Sequence, residues 1–144
     1  LDACDLAGAA DDSMFGLPEL KRGNFPVLAL AMMQKALPKK RVFELAYLSE
    51  LVDAQTMLTW NMLNKIVPSD LVMQTALDWA NEISQRSLLT AGMGREAYNK
   101  MEGMCLVDSL EYCKNVLTCM LSTHDAQEID YAIKENRKPV LKGY

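Results

Sequence analysis

Glu19 is the side chain whose setting first suggests chemistry. It stands in Met14-Phe15-Gly16-Leu17-Pro18-Glu19-Leu20-Lys21-Arg22-Gly23-Asn24-Phe25-Pro26, a turn-rich stretch between an apolar run and a long amphipathic region. Gly16 and Gly23 permit backbone conformations closed to other residues, and Pro18 and Pro26 fix φ and withhold an N–H. A carboxylate on so shaped a loop can accept hydrogen bonds or move a proton, and such loops commonly carry binding and catalytic groups. Taken alone the pattern is weak, because an isolated Glu between Pro and Leu is most often a solvated charge or a first-turn helix residue. The other reactive side chains carry less. Cys4, Cys105, Cys113 and Cys119 form no C-x-x-C pair, and their spacings match no common zinc pattern. The last three lie among apolar residues and are expected to be buried free thiols. His124, the single histidine, falls in Ser122-Thr123-His124-Asp125-Ala126, which reads as a helix start. It is expected to be an exposed neighbour of a cap, and no metal site is expected.

The elements that position these groups must fit one ordinary domain's worth of chain, 144 residues with a formal net charge of −4. Half of the residues are hydrophobic and about a quarter charged, a globular composition. The acidic balance argues against broad binding to nucleic acid or anionic membranes. No apolar run approaches the ~20 residues of a membrane span. Asp2 and Asp5 stand where a signal peptide would be basic, and with no initiator Met the sequence reads as a piece of a longer product. Cysteine usage points to a reducing intracellular compartment, cytoplasmic or organelle matrix, and Lys142-Gly143-Tyr144 is no peroxisomal address.

A short strand is expected within residues 1–10 and another at Met14-Phe15. A helix running from Val27 to Leu37 is apolar nearly all round, which predicts burial on most of its faces. Residues 39–49 place Val42, Leu45, Ala46 and Leu48 on one helical side. Asp53 is an N-cap candidate for a short helix from Ala54 to Trp60, Asn61 suits a left-handed closing position, and residues 63–67 form the clearest strand. Beyond Ser69 the pattern is helical. One helix, over 70–86, carries a stripe of Val72, Ala76, Trp79, Ala80 and Ile83. A second, over 90–103, is weakened by Gly92 and Gly94. A third, over 106–121, has Leu106, Leu110, Cys113, Leu117 and Met120 in line, and a fourth covers 126–136. The tail from Arg137 reads as basic and extended. Of the ten methionines most read as filler, with Met14, and then Met32 and Met33, the candidates for lining a pocket.

Several motifs together resemble the second half of the enoyl-CoA hydratase/isomerase (crotonase) family. Cys4-Asp5 followed by Phe15-Gly16-Leu17-Pro18-Glu19-Leu20-Lys21-Arg22-Gly23 is similar to the family's C-D strand and F-G-x-P-E segment. Lys40-Arg41-Val42-Phe43-Glu44-Leu45 resembles its K-R-A-x-E-L helix. Val52-Asp53-Ala54-Gln55, with Leu63-Asn64-Lys65-Ile66-Val67-Pro68, is similar to I-S-A-x-E-A…G-L-V-N-x-V-V-P. Residues 122–128 and 135–143 are close to its S-x-E-D-x-x-E-G and E-K-R-K-P-x-F-x-G. One such motif would be weak; five in register over nearly the whole chain are strong.

The resemblance implies an α/β fold, the C-terminal half of a crotonase-like ββα spiral. This chain would be mostly helical with two or three short strands. Residues 1–68 would form the spiral core with the catalytic loop, and residues 69–144 a helical trimerisation and CoA-covering region. It implies an acyl-CoA lyase or isomerase, foremost an enoyl-CoA hydratase in which Glu19 delivers a proton to C2 while water adds to C3. The alternatives are a 3,2-enoyl-CoA isomerase with Glu19 as proton shuttle, or a fold-retaining scaffold without chemistry. Met14, Phe15, Gly16, Leu17, Phe25, Pro26, Val27 and Met32 would contact the acyl thioester, and Ile133, Arg137 and Lys138 the CoA. No separate cofactor is implied, coenzyme A being part of the substrate. The partners implied are the acyl-CoA thioester, the N-terminal half or its chain with the first catalytic Glu and both oxyanion donors, and further copies in a homo-trimer or hexamer (a dimer of trimers). No nucleic acid or membrane is expected. Val27, being non-acidic, argues against a dienoyl isomerase. Ser49 and Asn61 stand where the family usually has glycine, and Asn136 where a Lys commonly helps hold CoA.

Overall fold

A computed structural model describes residues 3–144, which form two compact units divided between Asp78 and Trp79. The division falls inside α4 (Val72–Ser84), which a 3₁₀ turn at Ser69–Leu71 leads into.

In the first unit β1 (Gly8–Ala10) lies parallel to β4 (Lys65–Val67), with Ala9 opposite Ile66. Asn64 fixes that register, since the Ala7 N–H donates to its Oδ1 at 2.8 Å while its own N–H donates to the Ala7 carbonyl at 2.7 Å. A second ladder, antiparallel, joins β2 (Met14–Phe15) to β3 (Val52–Asp53). Between these strands run α1 (Val27–Ala36), α2 (Lys39–Leu48) and α3 (Ala54–Thr59). Pro26 precedes α1 and Pro38 separates it from α2, proline being tolerated where no helical N–H is needed. Asp53 caps α3 as expected, accepting from the Thr56 N–H at 2.7 Å, and the Thr56 hydroxyl together with that N–H holds its carboxyl below the usual value. Asn61 closes the segment after α3 with φ of 62°, and Ser49 ends α2 with φ of 51°. Leu37, Val42, Leu45, Ala54, Met57 and Leu63 form the core between helices and strands.

In the second unit α5 (Leu88–Lys100), α6 (Leu106–Leu121) and α7 (His124–Lys134) follow one another. Ser87 and Thr123 cap α5 and α7, accepting from the Thr90 and Ala126 N–H groups. Gly92 and Gly94 sit inside α5, which begins two residues earlier than read from the sequence because the Ser87 cap supplies the start.

Several expectations are corrected. Although apolar nearly all round, α1 buries Met33 and exposes Val27, Leu28 and Met32, since it packs on the core by one face. Periodicity marks which faces are apolar, not what covers them. Met33 is therefore core rather than pocket lining, while Met14 and Met32 are exposed. Leu48 is exposed, unlike Val42, Leu45 and Ala46. The stripes on α4 and α6 contain no fully buried residue, with Ile83, Leu110 and Leu117 open to solvent. Of the three cysteines expected to be buried, Cys113 is half-buried against Met101, its Sγ 3.0 Å from Sδ, while Cys105 and Cys119 are exposed; all are free thiols. Among the described residues no helix is long and apolar enough to cross a membrane.

Candidate active site

Glu19 lies in a 3₁₀ turn, Pro18–Arg22, entered directly from β2. The approach to it is anchored twice. Phe15 and Leu17 pack against the core, and β2 is hydrogen-bonded to β3. Gly16 between them allows close contact with the corner after α2. A Cβ on Gly16 would stand 2.8 Å from Leu51 Cδ2 and 2.9 Å from the Glu50 carbonyl oxygen. Glycine is required there by space. At the far end of the turn Gly23 is required by conformation, with φ of 75°. Its N–H donates to the Leu20 carbonyl, and the Asn24 N–H donates to that of Glu19, both at 3.1 Å. Asn24 Oδ1 then accepts from the Phe25 N–H, and the Phe25 ring packs 5.8 Å from that of Tyr47 on α2.

This frame leaves Glu19 with one oxygen, Oε2, shielded from solvent and without a hydrogen-bond partner. Buried carboxylate oxygens are normally satisfied, so this oxygen is open to a ligand. The Gly23 and Asn24 amides that close the turn are spent on the Leu20 and Glu19 carbonyls and not on the side chain.

The other residues expected to meet an acyl chain are sequential with Glu19. Met14, Phe15, Gly16 and Leu17 lead into the turn, and Phe25, Pro26 and Val27 lead out of it into α1. Pro26 is buried, Val27 exposed, and Met32 one turn along α1 is exposed. Ile133, Arg137 and Lys138 belong to the second unit. Ile133 is exposed on α7. Arg137 is already engaged, its guanidinium reaching Glu128 and Glu135.

Reading the sequence missed a polar joint at the start of α7. Asp125 is fully buried and accepts from Ser87 Oγ and from the Lys142 and Gly143 N–H groups. The tail is therefore docked rather than simply extended. The helix start at residues 122–126 was visible, but the tail's amides as partners were not. Among the described residues no group of three His, Cys, Asp or Glu is placed to hold a metal ion.

Residues 2–144 match the enoyl-CoA hydratase/isomerase family. A probable enoyl-CoA hydratase, echA8, of Mycobacterium bovis is 30% identical over 137 residues, covering 94% of this chain and 53% of that protein. The carnitinyl-CoA dehydratase of Citrobacter koseri is 28% identical over 98% of this chain and 56% of its own length. The crystal structure of human enoyl-CoA hydratase domain-containing protein 3 superposes with a TM-score of 0.92 at 27% identity, covering 96% of this chain and 55% of that one. An enoyl-CoA hydratase/isomerase of Mycobacterium paratuberculosis, at 21% identity, shares the fold with a TM-score of 0.94. The chain thus spans about half the length of the relatives it matches, and its fold is the α/β crotonase type. With the match running through the Glu19 turn, both ladders and the α7 joint, the chain belongs to the enoyl-CoA hydratase/isomerase family.

Proposed function

We propose that this chain carries the proton-donating part of an acyl-CoA lyase site, that of an enoyl-CoA hydratase. The observation that carries the reading is the shielded, unpartnered Oε2 of Glu19 on a turn held rigid at both ends. Relatives described as a hydratase and as a dehydratase support addition of water over double-bond migration. In the proposed step the oxygen of water bonds to C3 of a 2-enoyl-CoA, and the π pair moves into the thioester as an enolate. As the enolate collapses, Glu19 gives its proton to C2 on the same face. A second base accepts the proton lost by the water, and both groups return to their starting states by exchange with solvent. An acid placed at the atom that gains the proton lowers the barrier only in the transition state, where binding energy raises kcat.

The second base and the oxyanion donors are assigned to a companion segment preceding this one in the family's order. Val27, Leu28 and Met32 on the open face of α1 are the surface it would meet, together with the acyl chain. Exposed Leu106, Val107, Leu110 and Leu117 of α6 are assigned to contacts between copies in a trimer or hexamer. Of the two compartments read from the sequence, cytoplasm and organelle matrix, the second accords with relatives named as mitochondrial.

The test is hydration of a short 2-enoyl-CoA by the complete assembly, followed as loss of the conjugated thioester absorbance. Glu19→Gln is expected to lower kcat by about 10²-fold or more while acyl-CoA binding persists. Full activity in the variant, or an intact assembly that binds no acyl-CoA, overturns the reading. Conversion of a 3-enoyl-CoA without hydration would move Glu19 to an isomerase.

A further inference from the structure

We propose that the first turn of α7 is a clasp for a C-terminal strap, residues 137–144, and that the strap engages and releases as one unit. The centre of the clasp is Asp125. Burying a carboxylate costs free energy unless its oxygens are bonded, and here both are. Oδ1 accepts from the Lys142 N–H at 2.7 Å and the Gly143 N–H at 3.1 Å. Oδ2 accepts from Ser87 Oγ at 2.8 Å and from the same Gly143 N–H at 3.1 Å. In return the Asp125 N–H donates to the Tyr144 carbonyl at 3.2 Å. One side chain therefore ties together the cap of α5, the start of α7 and the strap. Gly143, with φ of 79°, bends the strap so that consecutive amides converge on one carboxylate, a nest for a negative group.

A second hold lies one turn along α7. Glu128 takes the Arg137 guanidinium in a two-pronged pair, at 2.5 Å and 3.0 Å, and accepts from the Val140 N–H at 2.8 Å. Arg137 is also bonded through Nε to Glu135 at 2.6 Å, and its N–H donates to the Ala132 carbonyl at 3.0 Å. Asn136, in the left-handed conformation with φ of 53°, turns the chain back from α7 to reach these partners. At the far end the Tyr144 ring rests 5.1 Å from that of His124.

The strap buries little apolar surface, for Val140 and Tyr144 are exposed and Leu141 is half-buried. Polar bonds rather than packing hold it, so it is the kind of segment that opens locally without global unfolding. Both holds share α7 and one short segment. Losing either therefore leaves the other closing a longer, freer loop.

The experiment is hydrogen exchange of the full chain resolved at the Val140, Lys142 and Gly143 amides, with tryptic cleavage after Arg137 and Lys142 as a second readout. In the unaltered protein all three amides are expected to be protected. Glu128→Gln, at a half-buried position, is expected to accelerate exchange at Lys142 and Gly143 by about tenfold, although it touches neither. Asp125→Asn is expected to accelerate Val140 likewise, with helix content by circular dichroism retained. Unprotected strap amides in the unaltered protein overturn the proposal, as does Glu128→Gln leaving Lys142 and Gly143 at their original rates. Should Asp125→Asn fail to fold, Glu128→Gln and Arg137→Gln decide the matter alone.

Discussion

The Glu19 turn and the C-terminal strap are both short, irregular segments that the fold holds in one conformation, by opposite means. The turn is fixed by what flanks it: Phe15 and Leu17 packed against the core, Gly16 against Glu50 and Leu51, and a left-handed Gly23. One oxygen of its own carboxylate, Oε2, is left without a bond. The strap is fixed by carboxylates of α7, each of Asp125 and Glu128 accepting several bonds while the strap's apolar side chains stay largely in water. The difference separates two uses of an acid. A carboxylate saturated with donors is structural and stays ionised; one held in place by its neighbours' packing keeps a free oxygen for chemistry.

Acid is the strongest way to break the comparison. The Arg137 guanidinium and the Val140 amide bring Glu128 down to about 2 from an ordinary value of 4.5. A lowered carboxyl adds stability that is complete above its unfolded value and lost as pH falls through its folded one. The second hold of the strap is therefore expected to be intact at pH 5 and released as pH drops toward 2. Val140 exchange, corrected for its intrinsic pH dependence, measures this. The Asp125 carboxyl is also lowered, chiefly by the Lys142 amide against the cost of burial, and its hold weakens in the same direction. The apolar anchors of the Glu19 turn carry no such dependence, so amides of residues 15–17 are expected to keep their protection over that range.

Next in size is Gly16→Val. The added carbons meet the Glu50 carbonyl, which cannot yield as a flexible side chain would. A loss of about 1–3 kcal/mol in urea unfolding is expected, as for other overpacked sites, with a fall in any Glu19-dependent activity. Strap exchange should not change. The smallest effects come from matched caps. Asp53→Ala in the first unit and Thr123→Ala in the second each remove one acceptor from a helix start, at about 1 kcal/mol apiece. Only Thr123→Ala should also loosen the strap, because α7 carries both of its holds. Equal loosening by the two would erase the distinction between the regions.

Much of this was legible in the residues. Asp53 as a cap, Asn61 as a left-handed stop, the helix over 106–121 and the shaped loop around Glu19 follow from local rules, since capping and turn chemistry act within about four residues. Ser49 is an instructive near miss. The resemblance implied a glycine at its place, and it takes the left-handed conformation anyway, its Oγ bonded to the Ala46 carbonyl at 3.3 Å. Burial was far less legible. The apolar character of α1 and the stripes of α4 and α6 foretold burial that these helices do not show.

By itself, then, the sequence determined the elements, their ends and the placing of one carboxylate on a rigid turn, because each depends on residues close along the chain. Tertiary structure alone decided three things. It put Gly16 against a corner more than thirty residues away, which explains the need for glycine there. It left Glu19 Oε2 shielded and unbonded. And it brought the Lys142 and Gly143 amides to Asp125, across a separation that no local pattern encodes. Hydrogen-bond partners distant in sequence are chosen by packing, and packing is what a single sequence does not print.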